Sequence, residues 1–136
     1  MGKHAIIIKN EQGKYLQYFD QKWNCYLFLN CKLPNGDDIS LVRNKVSNEL
    51  NLKKELIKVK FLGIRKHKKF SESAKIEKSY RHFFYKLEME KLFNNDEFEM
   101  NEIHYKWFDD NDFINDVRIQ KVNSDIIQFV KKFDKV

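Results

Sequence analysis

Leu33-Pro34-Asn35-Gly36-Asp37-Asp38-Ile39-Ser40-Leu41-Val42-Arg43-Asn44-Lys45-Val46-Ser47-Asn48-Glu49-Leu50-Asn51-Leu52 reads as a turn, an amphipathic helix and a helix stop, in that order. Pro34, Gly36 and two aspartates give the first part loop composition. Asp37 or Asp38 can cap the following helix by accepting the orphan amides of its first turn. Ile39, Val42, Val46 and Leu50 recur at spacings of three and four, which places them on one stripe. Any buried helix shows such a stripe, so it is assigned no chemistry. Asn51 is next best to glycine for the left-handed position that closes a helix.

Working outward, His4-Ala5-Ile6-Ile7-Ile8-Lys9 and Lys14-Tyr15-Leu16-Gln17-Tyr18-Phe19 flank the turn Asn10-Glu11-Gln12-Gly13 and are expected to form a hairpin. Trp23 to Leu29 is a third apolar segment, and Asn30 to Asp38 is expected to be loop. Ile57 to Arg65 and Lys78 to Leu87 alternate as two long strands of one sheet, joined by a polar loop around Ser71 to Glu77. Ile103 to Phe108 is a short strand, Asp109 to Asp112 offers N-caps for a short helix, and Val122, Ile126, Phe129, Val130 and Phe133 make the stripe of a terminal helix.

The chain has 136 residues, the length of a single domain over 1–136, and a core can form at this size without staples. Its 42% hydrophobic and 15% aromatic content excludes a disordered chain, and its twelve phenylalanines must mostly go inside. The net charge of +6 suits a polyanionic partner such as a nucleotide or nucleic acid, although the lysines are spread along the chain as a solvated surface would also have them. Cys25 and Cys31 are too few and too close for a disulfide framework, and no second Cys/His pair completes a zinc site. His4, His67, His82 and His104 lie on separate segments without ligand spacing. No apolar run spans a bilayer, and no signal-peptide core follows the Lys3-His4 start, so a cytoplasmic location with no membrane contact is expected. Gly-rich phosphate loops, serine elbows and Cys-His nucleophile patterns are absent from the sequence, which disfavours those enzyme classes.

The turn, helix and stop resemble a Nudix box with its chemistry removed. That family's pattern is Gly, five residues, Glu, seven residues, Arg-Glu, an aliphatic, any residue, Glu-Glu, any residue, Gly, an aliphatic. Aligned from the C-terminal end, Leu52, Glu49 and Val46 keep their type, and Asn51 stands on the glycine. Asn44 stands where the arginine belongs, Lys45 on the first glutamate, and Asn48 on the first of the Glu-Glu pair. Gly36 and Asp37 resemble the Gly-Glu entry with one residue deleted before the helix. The element order and the Tyr105-Lys106-Trp107-Phe108-Asp109-Asp110 run extend the resemblance over nearly the whole chain. It implies an α+β fold, a Nudix-type α/β/α sandwich with a mixed β-sheet. Trp23-Asn24-Cys25-Tyr26-Leu27-Phe28 and Val122-Asn123-Ser124-Asp125 look similar to Nudix domains associated with bacterial oligonucleotide second-messenger synthases in antiviral defence.

Magnesium takes oxygen ligands in near-octahedral geometry, largely from carboxylates and substrate phosphates, and a lysine at a ligand position adds repulsion. The resemblance therefore implies a degenerate site with no cofactor, in which Glu49 pairs with Lys45 or Lys53 at four-residue spacing. The opposing reading is a divergent hydrolase of a nucleoside diphosphate-linked substrate, with Glu49 catalytic and magnesium on Asp37, Asp38 and Glu49. The densest basic cluster is Arg65-Lys66-His67-Lys68-Lys69, at an expected strand end bordering the cleft. Arg81 or His82 on the partner strand would share a face with Arg65, and arginine suits phosphate better because its planar fork binds two oxygens. Arg65, His67, Lys68, Arg81 and Lys32 are the expected phosphate contacts, with Phe28 the aromatic platform for a base. A nucleotide or oligonucleotide is the expected ligand. A protein partner or self-association is expected alongside it, and a protein-interaction domain with an occluded cleft is the third reading.

Overall fold

A computed structural model of the chain describes residues 2–33, 39–71, 76–88 and 95–134, and the side chains of 4–31, 39–66, 81–88 and 95–133. These residues form one sheet of β1 (Gly2–Ile8), β2 (Tyr15–Asp20), β3 (Cys25–Leu33), β4 (Lys58–Ser71), β5 (Ile76–Glu88), β6 (Glu97–Met100) and β7 (Ile103–Phe108), in the order β4-β5-β1-β3-β2-β7-β6. Helix α1 (Ile39–Leu50) packs on one face, while α2 (Asp110–Asn115), α3 (Val117–Val122) and α4 (Ser124–Asp134) pack on the other. The sheet is mixed, because β1 runs parallel to β5 and antiparallel to β3. This is the expected α+β sandwich.

The expected β1–β2 hairpin is not formed. Asn10 makes the reversal, its carbonyl accepting from Gly13 N and its side chain from Gln12 N and Lys14 N. Beyond the single bridge Lys9 to Tyr15 the strands diverge, and β3 inserts between them. The first half of β3 pairs with β2 (Cys25 to Asp20, Phe28 to Gln17), and its second half pairs with β1 (Leu29 to Ile6, Leu33 to Gly2). β3 therefore runs through Asn30 to Leu33, where loop was expected. Cys31 is buried there, and the Asn30 amide donates to the Phe28 carbonyl and to the Tyr18 hydroxyl. Strands β4 and β5 are also longer than expected, pairing out to Ser71 and Ile76, so the basic cluster lies within β4 and not at its end.

Val42, Val46 and Leu50 of α1 are fully buried, each contributing roughly 1.5–3 kcal/mol. Ile39 is 36% exposed, so the stripe begins one turn later than its spacing suggests. Asn51 takes a positive φ of 53°, and Leu52 N donates to the Ser47 carbonyl, which closes α1 with the left-handed cap expected of Asn51. At the other end of the chain, Asp109 caps α2 by accepting from Asp112 N while the Asp112 side chain accepts from Asp109 N. Val122 belongs to α3, a helix with its own cap at Asp116, and the terminal stripe proper is that of α4.

Candidate functional site

The helix carries two polar flanks beside its buried stripe. Lys45 and Glu49 are neighbours on one flank at four-residue spacing, with Nζ 2.7 Å from the carboxylate. Asn101 in the β6–β7 turn anchors this end of α1 by donating to the carbonyls of Asn48 and Glu49. Beneath the flank lies the α1-facing surface of the sheet, with Cys31 from β3, Tyr18 from β2, and Tyr105 and Trp107 from β7. Tyr18 and Tyr105 face each other across the β2–β7 ladder, and Phe98 stacks on Tyr105 at 5.2 Å.

Burial pushes the Tyr105 phenol up to about 12, and the Glu49 carboxylate adds to the shift. Burial pushes Tyr18 up to about 12 as well; an Asn30 hydrogen bond opposes this, while Asp20 and Glu49 reinforce it. The Cys31 thiol is pushed up by burial, with Lys45 pulling it down and Glu49 pushing it up. At neutral pH these are protonated groups: two phenols, of which Tyr18 donates to the Asp20 carboxylate at 3.1 Å, and a thiol that is no nucleophile. The Tyr105 hydroxyl and Trp107 Nε1 are buried without a hydrogen-bond partner among the described residues.

The Lys45 ammonium holds the Glu49 carboxylate. Among the described residues no group of three or more His, Cys, Asp or Glu side chains stands together to hold a metal. Asp37 and Asp38 lie outside the described residues.

Of Arg81 and His82, the one on the face of Arg65 is His82 and not the arginine that suits phosphate better. Arg65 pairs in register with His82, and its guanidinium lies 4.5 Å from the Phe133 ring of α4. Arg81 sits over Phe83, which packs in the α1-side core, so the two arginines are on opposite faces. A bulge between Phe61 and Gly63 causes this, since one extra residue reverses which side chains face α1. Phe28 is 3% exposed, stacked on Phe113 and edge-on to Tyr15 in the opposite core, and so is closed to a base. Lys32, His67 and Lys68 pair through their backbones with Lys3, Tyr80 and Ser79, and their side chains lie outside those described. Of the expected basic contacts whose side chains are described, Arg81 shares the face of α1. Tyr18, Cys31, Tyr105 and Trp107 were not expected as site residues, although the alternation Tyr105-Lys106-Trp107 signals that the two aromatics share a face.

The solved crystal structure of C. elegans Ap4A hydrolase superposes with a TM-score of 0.55, covering 96% of each chain at 16% sequence identity. The chain has a Nudix fold. At this identity the likeness is one of fold alone. No profile of a known protein family and no curated protein sequence matches the chain. No helix among the described residues is long and apolar enough to cross a membrane.

Proposed function

We propose that this Nudix-fold chain binds a nucleotide or oligonucleotide-type ligand and has lost magnesium-dependent hydrolysis. The observation that carries this reading is the 2.7 Å contact between Lys45 and Glu49. An ammonium at a metal-ligand position of the box repels a divalent cation and occupies the remaining carboxylate. The same ammonium suits phosphate oxygens as a point charge. A sensor that reads a messenger in bacterial antiviral defence, acting through a protein partner or self-association, is the biological setting the resemblance implies.

The test is a thermal-shift screen of nucleotides, dinucleotides and cyclic oligonucleotides with and without magnesium, followed by chromatography of the ligands. A ligand that binds only the native state raises its melting temperature by mass action. The expected result is a shift indifferent to magnesium with the ligand recovered intact. Magnesium-dependent loss of ligand, abolished in Glu49→Gln, would instead establish a divergent hydrolase, the reading favoured by the name of the structural neighbour. The burial of Tyr105 and Trp107 favours a third reading, a protein-interaction domain with an occluded cleft. Failure of every nucleotide to shift the melting temperature would select that one.

A further inference from the structure

The other polar flank of α1 opens on a separate groove of about 450 Å³, bounded by Ser40 and Arg43 of the helix and by Lys54, Glu55 and Lys58 from the segment leading into β4. Helical spacing puts Ser40 and Arg43 across the buried Val42, Val46 and Leu50 stripe from Lys45 and Glu49, so this groove is not the cleft described above. One of its cations is held in place by a hydrogen bond, and another stands on a closed backbone turn. Arg43 Nε donates to the Ile57 carbonyl at 3.2 Å, which fixes the guanidinium against the wall. Lys54 lies in a single tight turn closed by Leu56 N to Lys53 O and Ile57 N to Lys54 O, with Ile57 buried beneath it.

Three positive side chains meet a single carboxylate, Glu55, and no ion pair joins Arg43, Lys54 or Lys58 to any acidic group among the described residues. Like charges gathered round a concavity repel one another, and an anion seated between them removes that repulsion. We propose that this groove is a second binding site, for a phosphate oxyanion. The fixed guanidinium fork offers two parallel donors to phosphate oxygens, the lysines supply adaptable point charges, and the Ser40 hydroxyl lies in the first turn of α1, where the helix end is positive.

Titration calorimetry of the whole chain at low salt, with inorganic pyrophosphate and with a short single-stranded oligonucleotide, tests the proposal. Lys54→Glu/Lys58→Glu, at two exposed positions, is expected to weaken binding by about tenfold or more, and raising salt to weaken it in the wild type. Lys121→Glu/Lys132→Glu makes the same charge change on the α3 and α4 side and is expected to leave affinity within about twofold. Binding of pyrophosphate would identify a free phosphate ligand; binding of the oligonucleotide alone would identify the backbone phosphates of a nucleic acid. Equal losses in the two double variants, no loss in the first, or no binding of either probe to the wild type would overturn the site. Lys45 and Glu49 are unchanged in both double variants, so a loss confined to the first is specific to the groove.

Discussion

At the scale of single residues, Tyr105 combines a fully buried ring with a hydroxyl that has no partner among the described residues. Its phenol holds its proton up to about 12 in the folded chain against an ordinary value of 10.0. The raised value means the protonated form is favoured by folding, so its stabilisation is complete below pH 10 and is lost as pH rises toward 12. Tyr105→Phe removes the ionising group, and is expected to melt at or above the wild-type temperature at pH 7 while losing on the order of 2 kcal/mol less stability by pH 12. Denaturant melts at the two pH values check this; an equal alkaline loss in both proteins would refute it. The Lys45–Glu49 pair was legible at this scale, because four-residue spacing on a helix dictates it. The partition of Arg65 from Arg81 was not read, although Gly63 inside the strand pattern is the kind of residue that marks a bulge.

Among the elements, β4 depends on its bulge. Gly63 sits there with φ of +150°, and a Cβ built on it would come 2.8 Å from Cε1 of Phe133. The terminal helix therefore seats an aromatic ring directly on the strand backbone, and the Arg65 guanidinium lies over that ring. Gly63→Ala is expected to cost roughly 1–3 kcal/mol, from the strained backbone and the displaced ring together. A second change, Phe133→Leu, should recover part of that loss, and chemical denaturation of both variants measures it. No recovery would mean that backbone strain alone carries the cost. Helix α1 was readable because its period repeats over several turns and its stop is an asparagine. Strand β6 was not, because Glu97-Phe98-Glu99-Met100 is too short to establish an alternation. The pairing of β1 and β2 was misread because turn residues encode a reversal of direction and not the neighbour each strand finally takes.

For the molecule as a whole, two cores back onto one sheet. Leu29 belongs to the α1-side core and Phe84 to the α4-side core, and both are buried. Leu29→Ala and Phe84→Ala are each expected to remove about 2–5 kcal/mol. Each variant should still unfold in one transition, coincident by circular dichroism and tryptophan fluorescence, because the same strands supply both cores. Separate transitions would show that the two faces fold as independent units.

The placement of β1 also has a consequence for how the chain reaches this state. The first strand lies near the middle of the sheet, hydrogen-bonded on one edge to β3 and on the other, in parallel register from Lys3 with His82 to Ile8 with Leu87, to β5. During synthesis Ile6, Ile7 and Ile8 leave the ribosome well before the strand that covers their second edge, because β2, β3, α1 and β4 lie between the two in the chain. Contacts between such distant segments close slowly, since the intervening loop must be ordered first. Until β5 arrives, the nascent chain presents an unpaired apolar strand edge, the kind of surface that pairs with another chain or recruits a chaperone.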